Sequence, residues 1–135
     1  MEWSVLYLPI FTEGIFLSLR HLHALMGDGE IVGIGIEVGG EVKIEVTVKR
    51  DFTITTPMLL ANNYLYVIVS KDTIKKAIKE AAYIMQYLII ERLKISFNKA
   101  AMFCSVLGNL EIYQIVDPFV TIRFALPLKL LGGIC

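Results

Sequence analysis

Residues 21 to 30 read HLHALMGDGE and gather both histidines of the chain, Asp28, Glu30 and two glycines inside an otherwise mostly aliphatic sequence. Side chains of an extended segment alternate sides, so His21-x-His23 places two imidazoles on one side, and Asp28-x-Glu30 does the same for two carboxylates. Gly27 and Gly29 allow the backbone to turn between the pairs, which lets nitrogen and oxygen donors fold toward one point. Such a set suits a divalent metal or a general acid/base pair. The same Gly-Asp-Gly stretch is also an ordinary solvated turn, and spacing alone does not separate the two readings.

The elements around this run are legible from periodicity. Val5 to Ile10 and Ile15 to Leu19 read as short strands around a turn at Thr12-Glu13-Gly14. Apolar residues alternate at Val32, Ile34, Ile36 and again at Val42, Ile44, Val46, Val48, which predicts a hairpin. A three-residue loop, Val38-Gly39-Gly40 with Gly40 left-handed, would set Ile36 opposite Val42 and put both apolar rows on one face. Glu37 is expected to face solvent beside its glycine-rich strand. Asp72 is expected to cap a helix with an apolar stripe at Ile74, Ile78, Ala81, Met85 and Leu88, ending near Lys94. Ser96 would cap a second helix, apolar nearly all round and therefore buried, that stops at Gly108. LEIYQIV (110–116) and VTIRFALP (120–127) close the chain as strands joined at Asp117-Pro118. Together these elements predict an α+β fold, β-hairpins and a mixed sheet packed with two helices, in a single domain over residues 1–135.

Composition bounds the function. The chain has 13 basic and 13 acidic residues and no formal net charge, which removes the electrostatic attraction that dominates nucleic-acid binding. Cys104 in an apolar run and Cys135 at the end form no C-x-x-C, so a reducing cytoplasmic location is expected, with Cys104 a core residue. Phe52 to Ser70 is uncharged and long enough to span a bilayer, but Pro57, Asn62-Asn63 and three threonines interrupt it; no membrane partner and no signal peptide are expected. Hydrophobic residues make up 56% and charged residues 19%, against roughly 45–50% and 25% in ordinary chains, so a large apolar interface is expected.

The run RHLHALMGDGEIVGIGIEV resembles the acetamidase/formamidase amide hydrolases, whose pattern is G-D-x-H-A-x-x-G-D-G-E followed by an apolar strand. His23, Ala24, Gly27, Asp28, Gly29 and Glu30 match. The resemblance continues through LYLPIFTEGIFLSL, TPMLL, the long helix and AAMFCSVLGNLEIYQIVDP to TIRFALP, with Gln114, Val116 and Asp117 in family order. It covers only the C-terminal part of the longer family chains. Arg20-His21 stands where the family has Gly-Asp, Asn109 where it has an acidic residue, and Glu111 where it has an arginine.

What the resemblance implies is a metal-dependent hydrolase of small linear amides, weak or inactive alone. Its alternative is a non-catalytic half-protein that is degenerate or needs a companion N-terminal chain. Under the first reading His21, His23 and Glu30 hold a divalent metal, zinc foremost, and Asp28 or Glu30 moves the proton. Gln114 is the substrate-contacting candidate, although an amide on an apolar strand face more commonly bonds neighbouring backbone. A homodimer, or a companion chain supplying the missing N-terminal part, is expected to cover the apolar surface.

Overall fold

The computed structural model describes residues 4–132; Cys135 lies outside them. Seven strands, two α-helices and a closing 3₁₀ turn follow in the order β1 (Val5–Tyr7), β2 (Leu22–Leu25), β3 (Ile36–Val38), β4 (Met58–Ala61), β5 (Tyr64–Lys71), α1 (Ile74–Leu93), α2 (Phe97–Leu107), β6 (Asn109–Gln114) and β7 (Val120–Pro127), with the turn at Leu128–Leu131. The fold is α+β. Five strands make one antiparallel sheet in the order β1-β4-β5-β7-β6, and β2 and β3 form a separate antiparallel pair.

The core sits between one face of the large sheet and α1. Leu65, Val67 and Val69 of β5 lie opposite Leu126, Phe124 and Ile122 of β7, so all six point to the same side, and all are buried. The helix answers with Ala77, Ala81, Met85 and Ile89, one buried line at steps of four. That line is rotated from the expected stripe, since Ile74 is exposed. Two alanines at the N-terminal end remove side-chain bulk where the helix meets the sheet. The cap also moves by one residue, because the Thr73 hydroxyl accepts the Lys76 N–H at 3.3 Å while Asp72 pairs with the Lys76 ammonium at 2.5 Å. That contact lowers the Asp72 carboxyl pKa below its ordinary value.

The opposite face of the sheet carries Tyr66, Ile68, Thr121 and Arg123, the alternate residues of β5 and β7. Asn62 and Asn63 close the β4–β5 hairpin with φ of 51° and 62°, the two left-handed positions that a two-residue type I′ turn requires.

Two expectations are overturned. The second helix is not buried: only Ala100 and Cys104 are, while Phe97, Met102, Val106 and Leu107 face outward. With α1 as its one helical neighbour, α2 has a single side to cover. Nor does the 32–48 hairpin form. Val38 lies opposite Leu22 and Ile36 opposite Leu25, so β2 occupies the edge that residues 42–48 were to take. Gly39 and Gly40 have no positive φ, and without a left-handed residue the chain runs on instead of reversing. Residues 15–19 likewise carry no strand, although the Thr12–Gly14 turn is present.

The thiol of Cys104 is buried, and loss of solvent pushes its pKa up to about 11, as suits a packing residue. Nearby, a Cβ placed on Gly108 would overlap the Cys104 carbonyl oxygen and the ring of Phe124, which is itself in the core. Gly108→Ala is therefore expected to destabilise the chain by about 2–3 kcal/mol, read as a shift in the urea midpoint at unchanged slope.

Candidate metal centre

The site is built by the β2–β3 pair and the loop between its strands. His23 lies directly opposite Glu37, so their side chains share a face, and His21, two residues before His23, is added to the same side. The two imidazoles stack with centroids 4.8 Å apart and planes at 26°. One ligand atom from each of His21, His23 and Glu37 lies within 4.8 Å of the others. Two imidazole nitrogens and a carboxylate oxygen form a donor set suited to zinc. Glu37 is the residue that sequence reasoning assigned to solvent, and the cross-strand contact with His23 shows why: it depends on β3 pairing with β2.

Gly35 makes room for this arrangement. A Cβ there would stand 2.7 Å from His23 Nδ1 and 2.8 Å from Cγ, closer than a side-chain carbon can sit. On the other side, His23 Nδ1 is 3.2 Å from the Met26 sulfur. The ring is thus held between a glycine backbone and a thioether.

The Gly27–Glu30 loop approaches from the large sheet. Gly29, with φ of 92°, donates its N–H to the Tyr113 carbonyl at 3.2 Å and accepts from Ile115 N–H at 3.2 Å, a parallel bridge to Gln114 at the end of β6. Asp28 accepts from Arg123 Nη2 at 3.2 Å, and Arg123 also pairs with Glu111 directly across the β6–β7 ladder. The arginine lies between two aromatic rings, 5.5 Å from the centroid of Tyr66 and 5.4 Å from that of Tyr113.

Glu30, with φ of 45°, is aimed into a concavity of about 380 Å³ lined by His21, Leu22, His23, Met26, Glu30, Tyr113, Gln114 and Thr121. The sequence-derived residues thus separate. His21 and His23 converge, Glu30 stands on the wall beside them without joining the three-donor cluster, and Asp28 is engaged by Arg123. Gln114 also lines the wall. Its amide staples the following turn: Nε2 donates to Asp117 Oδ2 at 2.6 Å, and Oε1 accepts the Asp117 N–H at 3.0 Å.

No helix among the described residues is long and apolar enough to cross a membrane. The acetamidase/formamidase family model matches residues 2–109. Among solved structures, an acetamidase from Bacillus halodurans shares 35% identity at a TM-score of 0.77, over 82% of this chain and 37% of its own. A predicted acetamidase/formamidase from Thermoanaerobacter tengcongensis gives 35% and 0.78, over 84% and 38%. An acetamidase from Yersinia enterocolitica gives 26% and 0.76, over 81% and 33%. No protein with a curated description matches. The chain spans a little over a third of the length of its relatives of known structure, and it belongs to the acetamidase/formamidase family.

Proposed function

We propose that the chain carries the metal-holding part of a hydrolase of small amides, with His21, His23 and Glu37 as the protein ligands of a divalent ion, zinc foremost. The convergence of these three donors within 4.8 Å, beside an open concavity, is the observation that carries the reading. The names of the structural relatives supply the substrate class, a small linear amide such as acetamide or formamide. A bound ion would polarise the amide carbonyl and activate water. Glu30, on the wall next to the histidines, accepts the proton of the attacking water and returns it to the departing ammonia. Asp28, tied to Arg123, holds the loop that aims Glu30. Gln114 and Tyr113 shape the wall that the amide meets.

A second reading is favoured by two observations: the relatives extend well beyond this chain, and nearly all of residues 4–50 are exposed. In it the chain is a non-catalytic half that requires a companion polypeptide. Ammonia release from acetamide and formamide by zinc-loaded chain distinguishes the two. Zinc-dependent release is expected, falling about 100-fold or more in Glu30→Gln. A zinc-loaded chain that releases no ammonia from either amide would overturn the hydrolase reading and leave the half-protein.

A further inference from the structure

Residues 41–49 read EVKIEVTVK and follow β3 without helix, turn or bend. The segment is fixed at both ends. A Cβ on Gly40 would come within 2.9 Å of Leu22 Cδ1, and the Lys49 ammonium stands 5.9 Å from the centre of the Tyr7 ring. Between those points no backbone group of 41–49 bonds to another backbone group among the described residues, and no described residue pairs with Glu41, Lys43 or Glu45. Val42, Ile44, Val46 and Val48 are each half or more exposed. An extended segment with both edges free, a one-sided apolar row and alternating charge is a template for another strand.

We propose that this segment pairs antiparallel with the same segment of a second copy, about a two-fold axis through Ile44. The charge pattern selects the occupant and the register. Antiparallel self-pairing sets residues opposite one another symmetrically about the axis, and like charges directly opposite are unfavourable. Centred on Ile44, Lys43 of each copy faces Glu45 of the other, Val42 faces Val46, and Ile44 faces its mate, with all apolar residues on one side. Centring on Lys43 or Glu45 sets that residue against itself. Centring on Val46 opposes Lys43 to Lys49. Centring on Val42 brings Val46 onto Val38, which is already opposite Leu22. Only the Ile44 register satisfies both the apolar row and every opposed charge.

The proposal stands apart from the hydrolase reading and holds whether or not zinc binds. Its test is the oligomeric state of charge variants, by light scattering and sedimentation at micromolar concentration. Wild-type chain is expected to be a dimer. Lys43→Glu should weaken the dimer about tenfold or more, and the exchange Lys43→Glu with Glu45→Lys should restore it, because the swapped charges again face opposites. In a Cys135→Ser background, Ile44→Cys should cross-link to its mate under mild oxidation, since opposed residues of antiparallel strands lie about 4.5–5.5 Å apart and a disulfide spans that distance. A monomeric wild type, a dimer indifferent to Lys43→Glu, an exchange variant that stays weak, or protection of residues 42–48 by a different polypeptide would each overturn it.

Discussion

Gly35→Ala is expected to weaken zinc binding about 100-fold, nearly as much as His23→Ala, although residue 35 carries no ligand atom. The backbone at Gly35 has no positive φ, so alanine is not strained there. The effect comes from the methyl group alone. It would occupy space 2.7 Å from Nδ1 and 2.8 Å from Cγ of His23, and the ring must leave to accommodate it. The Met26 sulfur, 3.2 Å from Nδ1, closes one line of retreat, so the displaced imidazole moves away from His21 and Glu37. Gly39→Ala is the control, since nothing lies within 4 Å of a Cβ at that position. Titration calorimetry with zinc should find Gly39→Ala unchanged and Gly35→Ala weakened, at equal melting temperatures. Equal zinc affinity in Gly35→Ala and wild type would show that His23 does not hold the ion in this orientation.

The contrast between Gly35 and Gly39 also shows how far sequence patterns reach. Local periodicity was sufficient for α1, for the Ser96 start and Gly108 stop of α2, and for the β6–β7 hairpin around Asp117, because each is decided by residues near one another in the chain. It was sufficient, too, for the shared side of His21 and His23. It failed where the deciding contact is distant. The alternation in residues 32–48 identifies two extended runs, but alternation says nothing about which strand lies alongside, and β3 pairs with β2. That one change of partner brings Glu37 to His23 and leaves Glu30 on the adjoining wall. The apolar circumference of α2 misled for a related reason. Hydrophobic residues on every side of a helix imply burial only where there are neighbours on every side, and α2 has one helix beside it.

Arg123→Gln is expected to cost about 2 kcal/mol of stability and, more tellingly, to free the Gly27–Glu30 loop from the sheet. The guanidinium is mostly shielded, its side chain 18% exposed, and it serves two carboxylates at once, Glu111 across the ladder and Asp28 from the loop. Tyr66 and Tyr113 hold it from both sides, so its position is set by the sheet and the loop is fitted to it. Glutamine keeps much of the volume but removes the charge, leaving Glu111 without a cationic partner and Asp28 unanchored. Only the two backbone bonds of Gly29, to Tyr113 and Ile115, would then retain the loop. Amide exchange at Gly29 and Ile115 should accelerate about tenfold beyond any change at Leu65 and Val67, whose amides report the core. Arg123→Lys, a cation without the planar fork, should recover part of the stability through one carboxylate and little of the loop protection. If exchange at Gly29 and Leu65 rises together in both variants, Arg123 stabilises the fold as a whole and does not position the loop that carries Glu30.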